Sequence, residues 1–343
     1  MTNNISIGIV GAGENTKLKH IPGFQKIDGV TIAAVANRSR SSAQKVAESY
    51  GIPLVFDTWA DIIRSAEVDA VMIGTWPYLH CAATLAALTA GKHVLCEARM
   101  ASNSVEARKM YQASLAHPEL TAQIVPSPMT LGVDATVRRL ISEKYLGEIV
   151  SIDIRGNSED FIDFSRSFHW RESREYSGNN IMTLGIWYEA LMRWVGTAKK
   201  VTAMGKTFVP MRTSGEMRST DIPDHLDVIA EMACGAQLHM QLSSVTGIGG
   251  ATEVFIFGTE GTLRFESGIL YGARRGDKEL TRISVPESEA GEWRVEEEFI
   301  QAIRGTKRVK LTDFASGVRY MDFVDAVNLS AHTGKSVCLP LDG

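Results

Sequence analysis

Residues 5–16 constrain the fold more than any other stretch of the chain. Ile5 to Val10 is an apolar, β-branched run, and Gly11-Ala12-Gly13 closes it just before a helical stretch reaching to about Lys26. A run of this kind reads as a buried strand. A glycine turn between such a strand and a helix lets backbone amides at the helix start approach a phosphate. Gly8-Ile9-Val10-Gly11-Ala12-Gly13 therefore predicts a pyrophosphate-binding turn, with Gly11 permitting the bend and Gly13 the close approach. The third glycine position holds Thr16, so the pattern is incomplete. A plain glycine-rich connection in another kind of α/β domain is the alternative.

The same alternation continues. Residues 30–36, 54–56, 69–74 and 93–96 read as apolar strands, and residues 41–50, 58–65, 80–90 and 104–116 as helices. Strands apolar on both faces and alternating with helices predict a parallel sheet covered on both sides. The rhythm changes after Val125-Pro126-Ser127-Pro128. A helix over 134–144 is followed by alternating runs at 149–154, 227–232, 237–243 and 253–257, then helices over 296–304 and 314–332. Alternation suits a mostly antiparallel sheet with one open face. The expectation is an α/β chain with a dinucleotide-binding domain over 1–124 and an α+β domain over 125–343.

Composition excludes little but does exclude some partners. The chain has 343 residues, 44% of them hydrophobic and 22% charged, with a net charge of −4. Nothing in that balance points to nucleic acid or an anionic membrane. No apolar run reaches the roughly 20 residues that a membrane span needs. Cys81, Cys96, Cys234 and Cys338 form no C-x-x-C pair and no zinc-like cluster, so no metal is expected and the thiols read as reduced. Met1-Thr2-Asn3-Asn4 leads straight into the first strand without the basic and apolar regions of a signal peptide, which predicts a cytoplasmic protein.

The second strand ends in Ala36-Asn37-Arg38-Ser39-Arg40. NAD-selective folds place an acid here to hold the ribose hydroxyls. Asn37 carries no charge, Arg38 offers a planar cation for a 2′-phosphate or an adenine face, and Ser39 adds a hydroxyl. NADP is the expected cofactor, with NAD possible. The plainer reading leaves Arg38 and Arg40 as solvated residues at a helix entry.

Several segments resemble one family. Residues 91–101, Gly-Lys-His-Val-Leu-Cys-Glu-Ala-Arg-Met-Ala, resemble the Glu-Lys-Pro strand end of the glucose-fructose oxidoreductase / inositol dehydrogenase / MocA-like (Gfo/Idh/MocA) family. Thr75-Trp76-Pro77-Tyr78-Leu79-His80 is similar to its Thr-Pro-Asn-x-x-His turn, His20-Ile21-Pro22 to its His-x-Pro, Gly258-Thr259-Glu260-Gly261 to its Gly-Thr-x-Gly turn, and residues 330–337 to its closing helix and strand. The resemblance implies a Rossmann domain and an open-faced C-terminal domain. It implies oxidation or reduction of a hydroxyl or carbonyl on a sugar, cyclitol or related small molecule, and a homodimer or homotetramer formed through the open sheet. It places Gly11, Gly13, Glu14, Asn15, Asn37, Arg38, Ser39, Thr75, Trp76, His80, Glu97 and Ala98 around the cofactor. Trp170-Arg171 is similar to a pair that reaches cofactor or substrate.

The departures fall on the chemistry. The family's lysine at the reacting carbon is Ala98 here, and its proline is Arg99. In Ser177 to Trp187, which resembles the second catalytic segment, the aspartate position holds Thr183 and the histidine position Trp187. Loss of general acid–base help costs about 10²–10⁴ in rate unless another group substitutes. The candidate substitutes are Arg99, Tyr188, His169 and His225, with core packing the alternative for Tyr188 and a surface loop for His225. Trp187, Trp170 and Trp76 together suggest an aromatic-lined pocket for a ring-bearing substrate. An oxidoreductase with a rebuilt proton relay is the leading expectation. A lyase, epimerase or hydrolase working on a bound cofactor without net redox, and a silent nucleotide sensor, are the alternatives.

Overall fold

The computed structural model describes residues 4–158 and 160–341, so the lead-in Met1-Thr2-Asn3 lies outside the described residues. The chain packs as two units: residues 1–126 with 294–318, and residues 127–293 with 319–343. The structural boundary falls two residues from the one expected at 124/125. The C-terminal expectation differs more, because residues 294–318 pack with the N-terminal unit.

The first unit holds β1 (Ile5–Val10), α1 (Ile21–Gln25), β2 (Val30–Ala36), α2 (Arg40–Tyr50), β3 (Leu54–Val55), α3 (Trp59–Arg64), β4 (Ala70–Ile73), α4 (Pro77–Thr89), β5 (His93–Cys96), α5 (Ser104–Ala116) and β6 (Ala122–Ile124). Among the described residues the sheet order is β3-β2-β1-β4-β5-β6, all parallel. Strand order reverses beside β1, the place where such sheets open a crevice for ligands. Ile7, Ile9, Met72 and Ile73 are fully buried, which is why β1 and β4 read as continuous apolar runs. Ser39 caps α2 by accepting the Ser42 N–H, and Thr58 with Asp61 forms a capping box on α3.

The second unit holds α6 (Asp134–Ser142), β7 (Ile149–Asn157), α7 (Arg174–Ser177), α8 (Leu184–Val195), β8 (Ala198–Lys206), β9 (Met211–Ser214), β10 (Glu216–Ser219), β11 (His225–Met232), β12 (Gln237–Ser243), β13 (Glu253–Gly258), β14 (Gly261–Glu266), β15 (Ile269–Arg274) and β16 (Thr281–Arg282). Then come α9 (Val295–Ile303), which packs in the first unit, α10 (Phe314–Thr333) and β17 (Val337–Cys338). The large sheet runs β16-β15-β14-β13-β7-β12-β11-β8-β17, antiparallel except between β7 and β12. Along β11, Leu226, Val228, Ala230 and Met232 face the core while Asp227, Ile229 and Glu231 do not. That alternation leaves one face open, as expected. α8 covers the other: Trp187 and Trp194 meet Phe265 of β14, and Tyr188 stacks on Phe323 of α10 at 3.6 Å.

Candidate functional site

In the first unit the glycine turn is built for close approach. Gly11 has φ 82°, its N–H bonds the Ala36 carbonyl at 2.8 Å, and a Cβ there would lie 2.5 Å from the Thr75 methyl. Thr16, in the third glycine position, is buried, and its hydroxyl donates to the Gly11 carbonyl at 3.4 Å. It fits because Gly74 stands opposite: a Cβ at Gly74 would lie 2.0 Å from the Thr16 hydroxyl oxygen. Residues 14–25 are helical, with a π-helical stretch at Thr16–His20.

Asn37 is already engaged. Its Oδ1 accepts the Ala12 N–H at 2.7 Å and its Nδ2 donates to Ser42 Oγ at 3.0 Å, so it braces the turn. The Arg38 guanidinium lies 5.6 Å over the Trp76 ring. A cavity of about 580 Å³ runs past Gly11, Gly13, Asn37, Arg38, Ser39, Thr75 and Trp76. Asp57 lines it too, but its carboxylate is paired with Arg40 at 2.8 Å. The glycine cradle, the cavity and the flanking cation fit a dinucleotide.

His80 does not line this cavity. It is fully buried, with Nδ1 3.0 Å from the Arg99 carbonyl and Nε2 3.0 Å from the Thr75 carbonyl, and burial lowers its pKa. It ties the turn after β4 to the segment after β5. Arg99 follows Ala98 through a cis peptide and is 5% exposed.

Glu97, Asn15 and His20 come together beside Ala98. Glu97 Oε1 accepts from Asn15 Nδ2 and faces His20 Nε2 at 3.0 Å, while its Oε2 accepts the Ala98 N–H at 3.0 Å. His20 Nδ1 sits 2.5 Å from Glu296 Oε1 of α9. Burial pulls the His20 pKa down, but hydrogen bonds to Glu296 and Glu97, and then their charges, outweigh it and raise it to about 9. Burial likewise works to raise the Glu97 pKa, and the bonds and charge of His20, with Asn15 and the Ala98 N–H, hold it below the ordinary value. Sequence reasoning missed Glu296: it stands in Val-Glu-Glu-Glu at a helix start, where acids ordinarily face water and favour the helix dipole.

In the second unit Thr183 and Trp187 line a cavity of about 480 Å³. Phe265, Met129 and Met182 supply its apolar wall, and Asn157, Ser158, Ser243, Ser244, Thr252 and Ser267 its polar groups. Among the described residues no ionisable side chain lines it. Asn157 Oδ1 and Ser158 Oγ are buried without a hydrogen-bond partner among the described residues. Neither the hydroxyl wall nor Phe265 carried a sequence signal, because they come from separate strands.

The remaining candidates fall elsewhere. Tyr188 is 1% exposed and its hydroxyl accepts the Ala198 N–H at 2.8 Å, with burial raising its pKa strongly. That makes it a core residue and corrects its candidacy as a proton donor. His169 and Arg171 line a smaller cavity of about 190 Å³ with Glu172 and Asp224. His169 Nδ1 accepts the Arg171 N–H at 3.2 Å, burial and then the Arg171 charge lower its pKa, and the Arg171 guanidinium lies 4.2 Å over Trp170. His225 opens β11, with Nε2 3.2 Å from Asp227, and lines neither of these two cavities. The three tryptophans have separate surroundings: Trp76 the nucleotide cavity, Trp187 the uncharged one, Trp170 the His169 and Arg171 side chains. Among the described residues no His, Cys, Asp and Glu cluster could hold a metal, and no helix is long and apolar enough to cross a membrane.

Comparison with known proteins agrees with this geometry. A model described as an oxidoreductase family with an NAD-binding Rossmann fold matches residues 5–138, and the GFO/IDH/MocA C-terminal domain matches residues 135–264. The human glucose-fructose oxidoreductase domain-containing protein 2 is 29% identical over 59% of this chain, a match that spans about half (52%) of the human protein's length. The trans-1,2-dihydrobenzene-1,2-diol dehydrogenase of Sus scrofa is 24% identical over 72% of this chain and 70% of its own. The structure of levoglucosan dehydrogenase with NADH and L-sorbose superimposes with a TM-score of 0.86 at 21% identity, covering 98% of this chain and 99% of that one. The glycine turn, the switch in strand order, the open-faced sheet and both matching models place the chain in the Gfo/Idh/MocA oxidoreductase family.

Proposed function

We propose that the protein is an NADP-preferring oxidoreductase acting on a hydroxyl or carbonyl of an uncharged, ring-bearing small molecule. Asn37 carries the cofactor part of this reading. The position where NAD-selective folds hold an acid has a neutral amide, and that amide's oxygen already accepts the Ala12 N–H. Arg38 beside it is a planar cation suited to a phosphate or an adenine face. When bound, the nicotinamide supplies the hydride chemistry. The chain's residues hold the nucleotide, orient the substrate and handle a proton.

The substrate part rests on the uncharged cavity. Its described lining offers a charged group polar contacts but no opposite charge to offset the water it would lose. The faces of Trp187 and Phe265 suit the apolar side of a ring, and the serine, threonine and asparagine groups suit hydroxyls. The pig relative's name describes a ring diol, which agrees with such a substrate. Cys81 and Cys96, buried and unbridged, fit a reducing cytoplasmic compartment.

Titration of nucleotide-stripped protein, followed by energy transfer from tryptophan to the reduced nicotinamide, tests the cofactor. NADPH should bind at least about tenfold tighter than NADH, and R38A should remove most of that difference, because a charged hydrogen bond contributes about 1.5–3 kcal/mol. Equal binding of the two sinks the NADP preference. The lack of ionisable groups among the described residues of the cavity also suits a nucleotide-binding sensor. Tight NADPH binding with no change at 340 nm across neutral polyols, ketones and sugars would favour that second reading.

A further inference from the structure

We propose that Glu97, His20 and Glu296 form a proton relay that serves where the lysine is missing, with Glu97 exchanging the proton at the substrate oxygen and His20 holding it in store. The inference rests on the oxidoreductase reading above.

The three groups stand in line. Glu97 Oε1 is 3.0 Å from His20 Nε2, and His20 Nδ1 is 2.5 Å from Glu296 Oε1. An imidazole between two carboxylates can take a proton at one nitrogen and release one from the other. The line is sealed at its inner end, where the His20 side chain is 0% and Glu296 5% exposed; Glu97, at 14%, is its opening. Glu97 is fixed at that opening by the Ala98 N–H, one residue from the missing amine. A π-helical stretch ends in His20, and such stretches re-aim side chains at functional sites. Gly23 leaves Glu296 its room, since a Cβ there would lie 2.8 Å from Glu296 Oε2.

Two of the other candidates are poor proton sources. Arg99 does not release a proton in the working range. Tyr188 is buried in its own core. Two carboxylates, one at each ring nitrogen, favour the protonated form of the histidine between them. The groups facing His20 include Glu97, Glu296 and the neutral Asn15 at 3.5 Å, while His80 and Cys96, both fully buried, also feel the Glu97 charge.

In the reducing direction the substrate carbon gains a hydride from the nicotinamide, and its oxygen takes a proton from Glu97. Nε2 of His20 refills Glu97, and the neutral ring keeps its Nδ1–H on Glu296. Oxidation reverses each transfer: the C–H hydride goes to the oxidised nicotinamide and the hydroxyl proton ends on His20. Oxidation therefore needs neutral His20 and should rise with pH through about 9, while reduction falls through the same range.

Two measurements test this. The first is the pH profile of alcohol oxidation with NADP⁺. E97Q should lower kcat by about 10²-fold or more and abolish the alkaline limb, with far less change in NADPH affinity. E296Q removes one of the two carboxylates that raise His20 and should move the limb to lower pH. A normal limb and kcat in E97Q, or an unmoved limb in E296Q, overturns the relay. The second needs no turnover: proton release at pH 8.5 on binding NADP⁺, whose ring is cationic, against NADPH, whose ring is neutral. Release with the oxidised nucleotide alone is expected. Binding without release overturns the relay but leaves the nucleotide reading standing; absence of nucleotide binding overturns both.

Discussion

Tyr188 and Asn37 are polar side chains whose hydrogen bonds already serve the fold. Y188F leaves the Ala198 N–H without its acceptor inside the core, so stability should fall by about 1–2 kcal/mol in urea unfolding while kcat is unchanged. A large loss of kcat at unchanged stability would return Tyr188 to the site. The sequence showed that an acid was absent at residue 37, but not that the amide braces the turn, because its partner Ala12 lies 25 residues away. Likewise Trp187 and Tyr188 are neighbours on α8, and only packing decides which of them meets a cavity and which meets Phe323.

At the scale of the element, the glycine turn and β4 work as a matched pair. Thr16 reads as a defect in the third glycine position, yet Gly74 at the end of β4 provides the space that the threonine takes. G74A should drive a methyl group into the Thr16 hydroxyl and weaken NADPH binding by about tenfold or more, a 1–3 kcal/mol overpacking cost. A Cβ at Gly74 would also lie 2.5 Å from the Gly11 carbonyl oxygen, so G74A/T16G should recover only part of the affinity; a double variant as weak as the single one would refute the pairing. The strands β1, β2 and β4 were legible because both of their faces are apolar. The two-residue strand β16 and the β9–β10 hairpin were not, since so few residues carry no period.

For the whole molecule, the open face of the large sheet bears Met204, 76% exposed, and Ile229, 50% exposed, on neighbouring strands. Apolar side chains on such a face support the homo-oligomer that the family resemblance implies. Sedimentation velocity should show a dimer or tetramer for the protein and a monomer for I229D; the same species in both would remove this face from the interface. The change of rhythm near Pro126 was legible, whereas the departure of 294–318 from the C-terminal unit was not, because α9 looks like any helix with an acidic first turn. That excursion has a consequence for biosynthesis. A ribosome that has just finished β6 has made every strand of the nucleotide-binding sheet, yet His20 still faces a gap where Glu296 belongs. The unit closes only after α9 has been translated, so the first domain to begin is among the last to be completed.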